Sequence, residues 1–261
     1  MPRITSTDNP RLKQAVRLIA SSRERRKAGL CVLEGAHLIA VYLERHGAPE
    51  AVIAIDVYAD DPTLRSLLAG IPSSRVLTIS APAWTELTQL PVEVKVLAVV
   101  PTPNPTLERV AEFCLLLEDL QDPGNVGSIL RTAAAAGVAQ VFMSRHCAFA
   151  WSPKVLRAGQ GGHFHLEIFE DVDLLAWAQS YRGTTVAAVT SGGESLFAAD
   201  LRGPLAIAIG NEGTGLSDEL RGAASRRVTI PMPGNFESLN AAAAVAVCLF
   251  ECVRQRATRS R

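Results

Sequence analysis

The sequence predicts an α/β protein in which a small α/β domain precedes a larger one with a mainly parallel sheet. Short apolar runs alternate with segments of helical periodicity along most of the chain. In the second half these runs are apolar throughout, as strands are when helices cover both faces of a parallel sheet. The proline-rich stretch VVPTPNPTLERV at residues 99–110 separates the two series. We therefore expect a small first domain at residues 1–100, a linker at 101–110 and a second domain at 111–261.

The first domain contains four short strand-like runs separated by helical patterns. The runs are CVLEG (31–35), AVIAIDVY (51–58), RVLTIS (75–80) and KVLAVV (95–100), and the helical patterns lie near 10–20, 36–46, 62–70 and 82–89.

The second domain has longer and more apolar strand-like runs. They are FCLLLEDL (113–120), AQVFMS (139–144), TTVAAVT (184–190), PLAIAIG (204–210) and RVTIPM (227–232), with helical patterns near 125–136, 171–181, 215–224 and 238–254. Parallel sheets bind ligands beyond the carboxyl ends of their strands, so the loops after these runs are where function is expected.

Composition excludes several classes of protein. Of 261 residues, 48% are hydrophobic and 20% are charged, which indicates a packed core and argues against disorder. No apolar run reaches the roughly 18 residues that span a bilayer, and the N-terminus does not resemble a secretory signal. The five cysteines form no CxxC pair and the five histidines show no HExxH spacing. We therefore expect a cytoplasmic protein without disulfides, metal or membrane attachment.

The formal net charge is zero, but basic residues are concentrated at the two ends of the chain. Such blocks can neutralise the phosphates of a nucleic acid, and they fit a solvated basic helix face equally well. The first block contains Arg3, Arg11, Lys13, Arg17, Arg23, Arg25, Arg26 and Lys27, and the second contains Arg254, Arg256, Arg259 and Arg261.

The first loop that suggests chemistry is LEDLQDPGNVGSILRTAAAAGV. One interpretation is a strand-to-helix turn with Asn125 as the cap of a helix that begins near Val126. The other is a ligand site, because Gly124 and Gly127 allow the backbone to approach a ligand closely. Arg131 follows on the same side of the helix, well placed to meet a phosphate or a hydroxyl.

The second loop, AIAIGNEGTGLSDEL, follows a buried strand and so lies at the carboxyl edge of the sheet. It is neither a dinucleotide fingerprint nor a phosphate loop. Glu212 would repel phosphate and suits a ligand that carries positive charge or hydroxyls. The alternative is a plain turn with Ser217 as a helix cap.

The third loop, IPMPGNFESLNAAAAVAVCLFE, spans residues 230–251. Either Ser238 or Asn240 could cap the helix that follows, yet one cap needs only one such residue. The alanines at 241–244 allow this helix to approach other segments or another subunit closely.

Together the three loops resemble the signature motifs of the SpoU (TrmH-like) family of RNA ribose 2′-O-methyltransferases, over residues 108–255. The stretches ITSTDNPRLKQAVRL and RRKAGLCVLEGAHLI resemble the family's ribosomal-protein-like RNA-binding domain. The resemblance implies a C-terminal α/β trefoil knot, a rare feature among folds. It also implies methyl transfer from S-adenosylmethionine to a ribose 2′-hydroxyl by a homodimer that the knotted domain forms. The additional N-terminal domain favours ribosomal over transfer RNA.

The resemblance assigns roles to individual positions. The cofactor-binding residues it implies are Thr190, Gly210, Asn211, Ile230, Met232 and Leu239. The catalytic residues are Asn125, Arg131, Glu212, Ser238 and Asn240, and the RNA-binding residues are Arg11, Lys13 and Arg157. Arg157 departs most from the pattern, because the family often has Ser-x-Gly after this arginine and here AGQG follows.

As a mechanism, we expect Arg131 to bind the attacking hydroxyl or a nearby phosphate while Asn125 and Glu212 orient it. Ser238 and Asn240 would position the ribose and the methyl donor. A non-catalytic RNA-binding or ribosome-assembly protein is the rival hypothesis, disfavoured because every expected polar position is filled. A nucleotide-dependent oxidoreductase is disfavoured because no GxGxxG follows the first strand.

Overall fold

A computed structural model describes residues 9–56, 60–88, 90–234 and 237–257, without the side chains of residues 87 and 92. The chain divides into two compact units. The first comprises the described residues up to Pro103 together with Trp151–Phe164, and the second comprises Asn104–Ala150 and the described residues from His165 on. Some residues used in the predictions lie outside the described ones: residues 4–8 and Arg3, Val57, Tyr58, Gln89, Asn235, Phe236, Arg259 and Arg261.

The helices of the described residues are short or of medium length. They are α1 Pro10–Ala20, α2 Ser22–Ala28, α3 Ala36–His46, α4 Pro62–Ala69, α5 Ala81–Thr88, α6 Pro123–Ala135, α7 Pro153–Gly159, α8 Leu174–Ser180, α9 Asp218–Ala223 and α10 Ala241–Ala257.

The strands alternate with these helices along the chain. They are β1 Leu30–Glu34, β2 Ala51–Ile55, β3 Val76–Ile79, β4 Val96–Pro101, β5 Phe113–Leu117, β6 Gln140–Met143, β7 Glu167–Phe169, β8 Thr184–Ala188, β9 Glu194–Ser195, β10 Leu205–Ile209 and β11 Arg226–Thr229.

Each predicted strand and helix has an observed counterpart, and the structure adds α2, α7, β7 and β9. These four elements have seven residues or fewer. The strands β7 and β9, with three and two residues, are too short to show any periodicity.

The first unit is built on a four-stranded sheet of order β1-β4-β2-β3. Strands β2 and β3 pair in parallel, and the other two pairs are antiparallel. Helix α1 buries Leu12, Ala15 and Leu18 in the same core as Trp84. Arg25 is also buried here, and its guanidinium donates hydrogen bonds to the carbonyls of Leu18 and Ile19 at the end of α1. One member of the predicted phosphate-neutralising block therefore stabilises a helix end instead.

The second unit is built on a seven-stranded sheet of order β7-β6-β5-β10-β8-β11-β9. Every pairing between its described strands is parallel, which confirms the predicted sheet type. All residues of the central strands β5 and β10 are buried. Helices α8 and α9 pack on one face through residues such as Trp177 and Leu220, and α10 packs against α6 and β10. Because the strands are parallel, the carboxyl ends of β5, β8, β10 and β11 meet at one edge.

Among the described residues, no helix has both the length and the apolar character needed to cross a bilayer.

Candidate active site

The N-terminus of α6 sets the position of Asn125. Asp122 caps this helix, since its Oδ1 atom accepts the Asn125 backbone N–H at 2.7 Å, and Pro123 occupies the first turn. The helix thus begins three residues before the predicted Val126, and the interpretation of Asn125 as its cap is wrong. The Asn125 side chain is left to bond elsewhere.

Asn125 forms the centre of a hydrogen-bonded chain that we call the Glu212–Asn125–Asn240 chain. Its Nδ2 atom donates to Oε1 of Glu212 at 3.0 Å, and its Oδ1 atom accepts from Nδ2 of Asn240 at 2.9 Å. The Oδ1 atom of Asn240 accepts the backbone N–H groups of Ala242 at 2.9 Å and Ala243 at 3.4 Å. Asn240 therefore caps α10, and this cap fixes the direction in which its amide donates. The chain joins one residue from each of the three predicted motifs.

A cavity of about 610 Å³ adjoins this chain at the carboxyl edge of the sheet, where α10 begins. Its walls are the ends of β8, β10 and β11, the loop after β10, and the segment before α10. Every residue predicted to bind the cofactor lines it: Thr190, Gly210, Asn211, Ile230, Met232 and Leu239. The predicted catalytic residues Glu212, Ser238 and Asn240 line it as well.

The loop Gly210–Gly215 forms one wall of the cavity and is closed on itself. Asn211 and Gly215 exchange backbone hydrogen bonds of 3.1 and 2.9 Å. The Asn211 side chain accepts the Gly213 N–H at 2.8 Å and donates to the Asp119 carbonyl at 2.8 Å. A Cβ atom added to Gly210 would lie 2.1 Å from the Gly215 carbonyl carbon. Only glycine fits position 210, because the loop backbone packs directly on it.

Arg131 projects from α6 and is exposed to solvent. Within the described residues its guanidinium has no hydrogen-bond or ion-pair partner, and it does not line the cavity. Asn125 and Glu212 bond to each other rather than to Arg131. The structure thus brings three of the predicted catalytic residues into contact and places Arg131 outside their chain, with donors free for a bound molecule.

The predicted RNA-binding residues all lie in the first unit. Arg11 and Lys13 are exposed on α1, where Arg11 also donates to the Ser74 carbonyl at 2.7 Å. Arg157 on α7 pairs with Glu34 at 2.6 Å. The Glu34 side chain is 2% exposed and that of Arg157 is 48% exposed, so the arginine covers a buried carboxylate and keeps part of its surface in solvent.

A comparison with protein-family models shows to which family the chain belongs. The model of the SpoU rRNA Methylase family matches residues 112–250, which include the Glu212–Asn125–Asn240 chain and the whole cavity wall. The chain belongs to the SpoU rRNA methylase family. The prediction made from the three motifs is confirmed.

Relatives of this SpoU methylase match it over almost its full length. The 23S rRNA (uridine(2479)-2′-O)-methyltransferase of Streptomyces viridochromogenes is 32% identical over 97% of this chain and 92% of its own. The 23S rRNA (guanosine(2553)-2′-O)-methyltransferase RlmP of Bacillus subtilis is 28% identical over 96% of this chain and 98% of its own. The crystal structure of the SpoU methyltransferase AviRb from Streptomyces viridochromogenes with AdoMet superposes with a TM-score of 0.83, at 28% identity, over 96% and 100% of the two chains.

These findings confirm the predicted knotted α/β fold class and the predicted enzyme class. This SpoU methylase is an S-adenosylmethionine-dependent RNA methyltransferase. The roles given to individual residues stay predictions.

The cavity suits S-adenosylmethionine in size and chemistry. Its volume lies within the range of small-molecule pockets. Apolar side chains such as Val228, Ile230 and Met232 can cover a flat adenine ring, and the Gly210 backbone can approach it closely. Glu212 and Glu237 offer carboxylates to a positively charged ligand. Among the described residues, no group of three or more His, Cys, Asp or Glu side chains is placed to hold a metal ion.

Sequence reasoning missed two acidic residues next to the site. The predicted strand extended to residue 120, whereas β5 ends at Leu117, so Glu118 and Asp119 lie at the carboxyl edge of the sheet. Asp119 adopts a left-handed conformation with φ of 54°, which is uncommon outside glycine. The signal was present in the sequence, because two carboxylates in a row are unusual inside a buried strand.

Proposed function

We propose that this SpoU methylase transfers the methyl group of S-adenosylmethionine to a ribose 2′-hydroxyl of ribosomal RNA. The observation that carries the proposal is the Glu212–Asn125–Asn240 chain beside the cavity, because it joins all three motifs at one place. Ribosomal RNA is the favoured substrate because two relatives matched over nearly the whole chain are named as 23S rRNA 2′-O-methyltransferases.

The protein's main task in this reaction is alignment. When bound, S-adenosylmethionine supplies a methyl group that its positive sulfur has already activated. The closed loop Gly210–Gly215 and the residues Ile230 and Leu239, which line the cavity, would hold the adenosyl part, and Ser238 and Asn240 would position the ribose. Correct placement of two reactants can lower a barrier by about 7 kcal/mol or more.

The hydroxyl must pass its proton to a water molecule as its oxygen bonds to the methyl carbon and the methyl–sulfur bond breaks. Arg131 binds the ribose oxygen or a neighbouring phosphate and stabilises the developing negative charge, for which its exposed guanidinium is available. It does not act as the base, since a guanidinium keeps its proton in proteins. Asn125 holds Glu212 in a fixed orientation at the cavity.

The direct test is to map 2′-O-methylated sites in total RNA from cells with and without this protein, then to repeat the reaction with purified components. The wild type is expected to restore at least one site in 23S rRNA. Arg131→Ala should abolish methylation and leave the affinity for S-adenosylmethionine largely unchanged. Arg182→Ala, which removes another exposed arginine, is the matched control. Absence of any protein-dependent site in ribosomal RNA would refute the proposal.

We propose further that residues 1–100 form an RNA-binding domain in which Arg11 and Lys13 contact the RNA, and that Arg157, which lies later in the chain, contacts it as well. Arg11 and Lys13 lie one turn or less apart on α1 and are exposed. If both contact phosphates, replacing either by Gln weakens RNA binding and lowers the slope of log K against log salt by about 1. An unchanged slope in both variants would exclude them. We also propose a cytoplasmic location, since relatives matched over nearly the whole chain are bacterial.

We propose that two copies of this chain associate through α10. One face of this helix is buried through residues such as Val245 and Leu249, yet Phe250 is 49% exposed and Ala243, two turns before it, is exposed as well. Such an apolar patch is typical of a protein interface. Sedimentation should show a dimer that Phe250→Glu dissociates. Phe197→Glu, at a second exposed phenylalanine (55%), is the control that should leave the dimer intact, and a monomeric wild type would contradict the proposal.

A further inference from the structure

Glu118 connects the end of β5 to the end of the cavity loop. Its backbone N–H donates to the Ile209 carbonyl at 2.9 Å, so it continues the pairing of β5 with β10. Its side chain then reaches Ser217: Oε2 accepts the backbone N–H at 2.7 Å and Oε1 accepts the hydroxyl at 2.7 Å. Both carboxylate oxygens of Glu118 thus accept hydrogen bonds from Ser217. Hydrogen bonds to a charged group are stronger than those between neutral groups.

Asp119, the residue after Glu118, holds the other end of the loop. Nδ2 of Asn211 donates to the Asp119 carbonyl at 2.8 Å. The segment from Asn211 to Ser217 is therefore attached to residues 118–119 at both its ends. The loop Gly210–Gly215 overlaps this segment and forms a wall of the cavity. Glu118 itself does not line the cavity. Glu118 can influence a ligand there only through the loop or through its charge.

Capping of α9 alone does not account for this arrangement. Ser217 caps α9 by accepting the Leu220 N–H at 3.2 Å, for which a serine hydroxyl needs no carboxylate. The same hydroxyl also donates a hydrogen bond to Glu118, which fixes the orientation of the hydroxyl and connects the cap of α9 to the end of β5. The loop Gly210–Gly215 is therefore held between the cap of α9 and β10.

We propose that Glu118 is a positioning residue for the methyl donor: through Ser217 it holds the loop Gly210–Gly215 in the shape that binds the adenosyl group. The inference rests on the proposed function, since it assigns the cavity to S-adenosylmethionine. Loss of the Glu118 contacts leaves Asn211 as the remaining side-chain attachment of the loop to residues 118–119. The loop then samples other conformations. The affinity for the methyl donor falls in proportion to the fraction of molecules that keep the binding conformation.

The test measures binding of S-adenosylmethionine and of S-adenosylhomocysteine by calorimetry for the wild type, Glu118→Ala and Glu118→Gln. Glu118→Ala removes both acceptors, and about a tenfold loss of affinity is expected for both ligands. Glu118→Gln keeps one acceptor for the Ser217 N–H, and its amide can donate to the hydroxyl oxygen. It should therefore retain most of the affinity.

The two ligands separate positioning from electrostatic attraction. S-adenosylmethionine carries a positive sulfur and S-adenosylhomocysteine does not, so a direct effect of the Glu118 charge would weaken the first ligand selectively. It would also make Glu118→Gln as weak as Glu118→Ala. Either of those results, or full affinity in Glu118→Ala, overturns the proposal. Equal losses for the two ligands in Glu118→Ala together with rescue by Gln support it.

Two controls accompany the series. Glu219→Ala removes an exposed carboxylate on α9, two residues after Ser217, and should leave both affinities unchanged. Hydrogen exchange of the Gly213, Thr214 and Gly215 amides should accelerate in Glu118→Ala while amides of β5 and β10 stay protected. Acceleration throughout the sheet would indicate general destabilisation and refute a local role. If the wild type itself bound neither ligand, the proposed function would fail instead.

Discussion

Asn125 and Glu212 lie 87 positions apart, and the Asn125 Nδ2 atom donates a hydrogen bond of 3.0 Å to Oε1 of Glu212. This bond exists because Asp122 rather than Asn125 caps α6, and because β5 and β10 are neighbours whose carboxyl ends meet. The hydrogen bond makes the orientation of Glu212, which lines the cavity, depend on Asn125, which does not line it.

Replacing the donor by an acceptor of the same size tests this dependence. Asn125→Asp places a second carboxylate against Glu212, and the two repel. We expect the rate of methyl transfer to fall about 100-fold, the scale associated with a misplaced reacting group, while binding of S-adenosylmethionine changes far less. Part of the rate should return as the pH falls and one carboxyl group takes up a proton. Asn104→Asp, at an exposed position, is the control, and a normal single-turnover rate in Asn125→Asp would contradict the assignment.

The close packing on Gly210 leads to a second prediction. Gly210→Ala forces a Cβ atom to within 2.2 Å of the Leu216 backbone nitrogen, so the loop must move. We expect affinity for S-adenosylmethionine to fall at least about tenfold, since uncompensated overpacking costs about 1–3 kcal/mol. Gly222→Ala in α9 meets nothing within 4 Å and should leave binding unchanged while raising stability slightly. Calorimetric titration of both variants with S-adenosylmethionine tests the prediction. Equal affinities in Gly210→Ala and Gly222→Ala would contradict it, since they would show that the loop tolerates a side chain at position 210.

The ion pair of Arg157 with Glu34 predicts a pH-dependent loss of stability. Burial raises the pKa of Glu34 above its ordinary value of 4.5, and Arg157 and Arg25 act in the opposite direction. Arg157→Ala leaves the buried carboxylate without this partner, which should cost about 2 kcal/mol at pH 8. The cost should shrink as the pH falls toward the raised pKa of Glu34, because a neutral carboxyl group needs no cation.

Denaturation at pH 8 and pH 5, followed by tryptophan fluorescence in a Trp177→Phe background, measures this difference, because the two remaining tryptophans, Trp84 and Trp151, lie in the first unit. The double variant Arg157→Ala with Glu34→Gln should regain much of the stability at pH 8. A loss of the same size at both pH values would contradict the ionic origin of the contact.

The cysteines should be unreactive in the folded protein. Burial raises the pKa of Cys31, Cys114, Cys248 and Cys252 to about 12, and it also raises the pKa of Cys147. The thiolate is the reactive form, so iodoacetamide at pH 8 should label the native protein slowly. Labelling should become complete once guanidinium unfolds the chain. Rapid labelling of Cys248 or Cys252 in the native state would show that α10 is less firmly packed than the structure indicates.

Most of the fold was predictable because its signals are local. Apolar runs such as PLAIAIG identified β10 to within a residue, and the helix over 36–46 agrees with α3. The short elements β7 and β9 were missed because two or three residues show no periodicity. The start of α6 was misplaced because Asp122 and Asn125 are both good caps, and sequence alone does not choose between them.

The sequence by itself determined which residue types stand at the ends of the strands, and hence the three motifs and the kind of chemistry they serve. Only the tertiary structure decided which of these residues touch. Glu118 meets Ser217 across 99 positions, and Asn240 meets Asn125 across 115. The physical reason is strand order: β5, β10 and β8 are neighbours in the sheet but not along the chain. Hydrogen bonds between their loops arise from packing, which no local pattern encodes.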